Sequence, residues 1–209
     1  MTSNPPHMEE TSGVIVAGGR STRMGELEKA VVDIGGTPLV RRVADRLTAV
    51  VDRLVVNCRS DQRAAIEEAL SGVDPTFAID PEPDRGPVAG IETGLGAVET
   101  EYAGVVAVDM PFLDPDLLSY IFERAEGCDA AVPRPSDWFE PLHAAYKVEP
   151  MLDACERALQ EPNPRIIEPL ASLEYTVIDR AELVAHGSLD SFEGVDTPDD
   201  ARWAIDRLE

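Results

Sequence analysis

The 209 residues carry 40 acidic and 18 basic side chains, a formal charge of −22, and 44% are hydrophobic. That length and apolar share suit one α/β domain with a substantial core, while so negative a surface argues against nucleic acid and anionic membranes as partners. No apolar run approaches the roughly eighteen residues of a transmembrane span, and residues 1–12 lack the basic start and apolar middle of a secretory signal; the expectation is a cytoplasmic protein with a flexible tail over 1–12 and one domain over 13–209.

The acidity is spread along the whole chain, and Lys29 and Lys147 are the only lysines. Such self-repulsion is tolerable where salt screens it, which points to a halophilic setting. Cys58, Cys128 and Cys155 are odd in number and form no C-x-x-C, so they read as small core residues in a reducing compartment. His7, His143 and His186 have no metal-ligand spacing.

Val14, Ile15 and Val16 form an apolar run expected to be a buried parallel strand. The chain then breaks at Ala17, Gly18 and Gly19, turns basic at Arg20 and Arg23, and continues through Gly25 to Lys29. Glycines let backbone N–H groups approach a ligand closely. Successive N–H groups make a concave anion site that cations complete, and a triphosphate is the expected occupant. The spacing is neither G-x-x-x-x-G-K-[ST] nor G-x-G-x-x-G; the plainer alternative is a flexible strand-to-helix connection.

Residues 30–34 read as a short extended segment turned by Gly35 and Gly36, with Thr37 capping a helix that starts at Pro38. Leu39, Val43, Leu47 and Val50 share its inner face. A strand over 53–58, a helix over 61–70 and a strand within 73–80 make the start of an open parallel sheet. Asn57 falls at a strand's carboxyl end, where such sheets bind ligands, although an Asn there also serves as a turn former. A proline-stiffened loop from Asp80 bends at Gly86 into a helix from Pro87 to about Val98. Gly90 and Gly94 share one helical face, open to close approach by a neighbouring helix or a purine ring.

Residues 104–108 are the apolar central strand, with Asp109 at its carboxyl end. A carboxylate facing a triphosphate is suited to hold Mg²⁺, the metal that bridges phosphate oxygens; capping the loop is the alternative. Asp114 and Pro115 start a helix to about Ala125. Strands over 130–133 and 141–146 flank a loop holding Trp138 and Phe139, and a helix follows over 150–159. Residues 163–168 lead into a short helix, 175–179 form a late strand, and Thr197, Pro198 and Asp200 cap a last helix through Leu208.

The run A-G-G-x-x-x-R-M-G-x-x-x-K from Ala17 to Lys29, followed by V-D-x-P-F around Asp109, resembles the MobA-type molybdenum cofactor guanylyltransferases within the MobA-like NTP transferases. The likeness extends from Val14 to Leu208 and weakens after Tyr146. It implies a three-layer αβα Rossmann-like nucleotidyltransferase domain, with a nucleotide half over 13–110 and an acceptor half over 111–209. It implies transfer of GMP from GTP to the terminal phosphate of molybdopterin or its molybdenum form, with Mg²⁺ as cofactor and transient contact with cofactor-insertion proteins. By this resemblance Arg23, Lys29 and Asp109 are catalytic. Val16, Ala17, Gly18, Gly19, Lys29, Asn57, Asp80, Gly86, Gly90 and Asp109 form the nucleotide site, with the G-P-x-A-G segment from Gly86 bordering guanine. The P-L-H-A-x-Y string offers His143 to the acceptor, and Arg165 matches a basic segment near the pterin phosphate; a strand residue and a surface arginine are their plainer readings.

Where these enzymes often carry N-x-N-T-P, this chain has Gly194-Val195-Asp196-Thr197-Pro198. Related nucleotidyltransferases place an Asp there as a second metal ligand, which implies Asp196 beside Asp109. The alternatives are a sister enzyme using CTP with molybdopterin or GTP with a cobinamide phosphate, and a non-catalytic nucleotide-binding or cofactor-delivery module.

Overall fold

The computed structural model describes residues 10–19 and 28–208. Its strands are β1 (Ser12–Val16), β2 (Arg53–Cys58), β3 (Thr76–Ile79), β4 (Tyr102–Ala107), β5 (Ala130–Arg134), β6 (His143–Lys147) and β7 (Tyr175–Asp179). They form one sheet in the order β3-β2-β1-β4-β6-β5-β7. β1 runs parallel to both neighbours, β2 to β3, and β5 to β7; β6 lies antiparallel between β4 and β5. The expected mostly parallel α/β sheet is therefore what the chain forms.

The helices are α1 (Leu39–Leu47), α2 (Arg63–Ala69), α3 (Pro87–Leu95), α4 (Pro115–Ala125), α5 (Val148–Ala158), α6 (Arg180–His186) and α7 (Pro198–Leu208). Strand alternation divides them between the two faces. In register across the sheet, Val14, Val55 and Val105 point to one side, and Ile15, Val56 and Val106 to the other. The first set packs under Ile91 and Leu95 of α3 and Met151 of α5. The second packs under Val43 and Leu47 of α1, Ile66 of α2, Leu118 of α4 and Leu183 of α6. Each such fully buried aliphatic side chain contributes about 1.5–3 kcal/mol. A smaller cluster of Ile34, Leu39, Val195 and Ala204 ties α7 to the start of α1.

Several boundaries follow local chemistry. Asp114 caps α4 by accepting the Asp116 and Leu117 amides ahead of Pro115. Thr197 and Asp200 exchange the two hydrogen bonds of a capping box, at 2.8 and 3.2 Å. Strand β1 begins at Ser12, inside the stretch expected to be tail, because the Thr11 amide is held by the Asp52 carboxylate at 2.9 Å. An extended segment was expected over residues 30–34, but its first two residues belong to a 3₁₀ turn, Lys29–Val31, whose Val31 and Val32 amides return to Glu28 and Lys29. Pro38, not Thr37, occupies the cap position of α1. Helix α6 was not expected, yet Asp179 caps it and Glu182 sits three residues on. No helix among the described residues is long and apolar enough to cross a membrane.

Candidate active site at the carboxyl edge of the sheet

Strand order reverses at β1, which has β2 on one side and β4 on the other. In open α/β sheets that switch point leaves a crevice beyond the carboxyl ends. A cleft of about 540 Å³ occupies it here, floored by Val16 at the end of β1 with Ala17 after it, and by Ala107 at the end of β4 with Val108 and Asp109 after it. Gly18, Gly19 and Lys29 line it, as do Asn57, Asp80, Gly86, Gly90 and Asp196. The chain has brought these residues together from segments far apart in sequence.

Lys29 bridges two carboxylates. Its Nζ donates to Asp109 Oδ2 at 2.6 Å and to Asp196 Oδ1 at 2.5 Å. The 3₁₀ turn fixes the lysine backbone by burying Ala30 in the core. Asp109 lies just past β4, where its carbonyl accepts the Val195 amide at 2.9 Å. Fully buried Val195 thereby seats Asp196 across from Asp109. Burial would lower the lysine pKa, but the Asp109 and Asp196 carboxylates outweigh it and hold the value above the ordinary 10.5. The ammonium is therefore charged at every physiological pH.

The opposite wall is built around Asn57 and Asp80. Asn57 Nδ2 donates to Asp80 Oδ1 at 2.6 Å and to the Ala78 carbonyl at 3.3 Å. Asn57 Oδ1 is buried without a hydrogen-bond partner among the described residues. Burial raises the Asp80 pKa above the ordinary 3.8, against the pull of the Asn57 amide and Arg59. Gly18 presses so close that a Cβ would lie 2.2 Å from Asp80 Oδ2, so any larger residue there would displace the Asp80 carboxylate. Gly90 abuts Asn57 Oδ1 and Val16 in the same way, whereas Gly94 packs onto Val14 of β1. Of the two glycines expected to share an open face, then, Gly90 reaches the cleft and Gly94 serves helix-to-sheet packing.

A family model described as the MobA-like NTP transferase domain matches residues 13–173. The chain belongs to that family. A Natronomonas pharaonis protein named "probable molybdenum cofactor guanylyltransferase" is 64% identical, covering 96% of this chain and all of its own. A Haloferax mediterranei protein of the same name is 38% identical over 91% of each chain. The crystal structure of "molybdopterin-guanine dinucleotide biosynthesis protein A" from Archaeoglobus fulgidus superposes with a TM-score of 0.79. It is 31% identical and covers 95% of this chain and 98% of its own.

Within this MobA-like domain two of the expected residues, His143 and Arg165, do not line the cleft. His143 is fully buried in β6, with Nε2 3.4 Å from Ser191 Oγ and its ring against Phe192, so it has no surface to offer an acceptor. Burial pushes its pKa down to about 4. Arg165 stands at the exposed surface, paired with Glu168 at 3.0 Å, and is not among the residues lining the cleft. Arg23 lies outside the described residues. The sequence reading passed over Glu140, half-buried near Asp109 with a pKa raised by burial and by that carboxylate. It also passed over Arg59, Gln62 and Glu28, which cluster behind the glycine turn. The signal at hand was Arg59 and Gln62 closely following Asn57 at the end of β2.

Proposed function

We propose that this protein is a molybdenum cofactor guanylyltransferase, moving GMP from GTP to the terminal phosphate of molybdopterin or its molybdenum form. One observation carries the reading: a lysine and two carboxylates from distant segments meet across a cleft from a glycine turn. The names of the relatives supply the acceptor. The cleft volume suits a nucleotide-sized ligand.

Asp109 and Asp196 fit a divalent metal. Their oxygens both touch one nitrogen, so they lie within about 5 Å of each other, near the spread of two ligands on one Mg²⁺. Among the described residues no third acidic, His or Cys group joins them, which leaves room for phosphate oxygens and water, the partners Mg²⁺ usually keeps. When bound, Mg²⁺ supplies neutralising charge between the phosphates.

The acceptor phosphate is already an anion and needs no general base. One of its oxygens bonds to the α-phosphorus, the bond from that phosphorus to the bridging oxygen breaks, and pyrophosphate leaves. The protein's tasks are alignment and charge stabilisation. The Gly18 and Gly19 amides hold the leaving diphosphate. Lys29 offsets the charge that builds on it. Gly86 and Gly90 admit the base beside the wall that Asn57 and Asp80 build.

The deciding experiment measures pyrophosphate release with each of the four NTPs, with and without molybdopterin, in Mg²⁺ and high KCl. Release that needs both GTP and molybdopterin supports the reading. Nucleotide binding with no release, or release only with CTP or only with a cobinamide phosphate, overturns it.

A further inference from the structure

The glycine turn is held from behind by two side chains that do not line the cleft. Gln62 Nε2 donates to the Ala17 carbonyl at 3.0 Å. Arg59 Nη1 donates to the Gly18 carbonyl at 3.0 Å and the Gly19 carbonyl at 2.9 Å. The same two side chains grip Glu28, beside Lys29: Gln62 reaches Glu28 Oε1 at 2.6 Å and Arg59 reaches Oε2 at 3.2 Å. The Arg59 amide donates to Gln62 Oε1 at 2.8 Å, which locks the pair together, and Asp61 takes the guanidinium's remaining edge at 3.1 Å. Arg59 is 7% exposed and Gln62 2%. Burying a guanidinium and an amide is costly unless the donors are used, and apart from the Asp61 contact the side-chain donors fall on the two stems that carry the cleft's glycines and lysine.

Geometry gives this cluster a consequence. In a trans peptide the carbonyl and the following N–H point in opposite directions. Drawing the Ala17 and Gly18 carbonyls toward Gln62 and Arg59 therefore turns the Gly18 and Gly19 amides the other way, into the cleft. Glycines left to themselves have the widest choice of backbone angles, so without that anchorage the amides lose their common direction. We infer that Arg59 and Gln62 are positioning residues for polyphosphate: they aim the Gly18 and Gly19 amides and, through Glu28, set where Lys29 stands relative to them. The inference rests on the function proposed above and deepens it.

The test compares GTP with GMP, which lacks the leaving diphosphate, by equilibrium binding to the full-length protein in Mg²⁺ and high KCl. Arg59→Met is expected to weaken GTP about tenfold, less than the hundredfold typical of losing a direct transition-state donor, and to change GMP affinity less than about twofold. Gln62→Met, nearly the same shape and neutral, is expected to weaken GTP in the same sense. Arg59→Lys, which keeps a donor for the carbonyls, is expected to recover part of the GTP affinity. In turnover, kcat/KM for GTP falls with Arg59→Met while the KM for the acceptor holds. Equal losses for GTP and GMP, or no loss in either variant, overturn the positioning role. A wild-type protein that binds GTP while both variants match it removes only this inference; a wild-type protein that binds no GTP overturns this inference and the proposed function together.

Discussion

Replacing Lys29 by Met is expected to push metal affinity and turnover in opposite directions. The lysine ammonium now sits between Asp109 and Asp196, whose oxygens lie within about 5 Å of each other. Two like charges at that spacing repel by about 3 kcal/mol at an effective dielectric of 20. Asp196 is 51% exposed, so water and salt reduce this to about 1 kcal/mol. Removing the ammonium leaves two carboxylates that a divalent ion reconciles, and the ion no longer competes with a resident cation. The expected gain is about fivefold to tenfold in Mn²⁺ affinity of the nucleotide-free protein, since about 1.4 kcal/mol is a factor of ten. On the proposed function turnover is expected to fall about a hundredfold, because the departing diphosphate would lose a cation worth about 3 kcal/mol in the transition state. Electron paramagnetic resonance of free Mn²⁺ during a titration reads the first quantity and pyrophosphate release the second, with Asp109→Asn as the control that must weaken Mn²⁺. Lys29→Met protein that binds Mn²⁺ no better than wild type refutes the bridge as drawn, and near-normal turnover removes Lys29 from the reaction.

Three further outcomes follow from burial and charge. Asp80→Asn should raise the thermal midpoint at pH 7 while weakening GTP. Burial lifts the Asp80 pKa above 3.8, so the folded state holds its proton longer and stability falls as pH rises through that window; the variant's advantage should therefore shrink below pH 4, and an advantage constant across pH would contradict this. His143→Leu should leave the acceptor KM unchanged and flatten part of the acid limb of the stability curve. The wild-type imidazole is neutral in the fold down to about pH 4, against 6.5 when exposed, so it costs stability as pH falls through that interval; a raised acceptor KM would return His143 to the site. With a charge of −22, thermal unfolding should move to higher temperature as KCl rises from about 0.1 M to above 1 M, where the screening length shortens from about 10 Å to about 3 Å; a midpoint indifferent to salt would remove the halophilic reading.

The parallel half of the sheet was legible because each strand there is an apolar run closed by a turn signal, and because Gly18 and Asp109 stand where such strands end. Lys29 and Asp196 were legible as residue types but not as a bridge, since their meeting depends on how Val195 and Ala30 are buried. His143 misled for a definable reason. β6 is an interior strand covered on both faces, with His143 through Tyr146 all buried, so alternation leaves no position open to a ligand. Arg59 was invisible for the converse reason: an arginine among polar neighbours reads as surface, and its burial arises only when Gly18, Gly19 and Glu28 are drawn around it. Helix α6 could have been found from the Asp179 and Glu182 spacing alone.

The charge inside the cleft constrains how a nucleotide can enter. Among the described residues lining it, Asp80, Glu82, Asp84, Asp109 and Asp196 outnumber Lys29 and Arg85, on a chain that is already strongly anionic. Lys29 is engaged by two of those carboxylates. On the proposed function a bare triphosphate would face these carboxylates, and the backbone amides of Gly18 and Gly19 carry only partial charges. On the function proposed above, that charge is offset when the nucleotide arrives with a divalent ion that Asp109 and Asp196 would share. GTP affinity should therefore collapse in EDTA, by about a hundredfold or more, whereas a cleft relying on lysine and arginine alone would lose little. Asp109→Asn narrows the argument further: with one carboxylate gone, the same protein should bind metal-free GTP better than wild type does and magnesium-GTP worse. Weaker binding of both forms would mean that Asp109 acts on the fold and not on the metal.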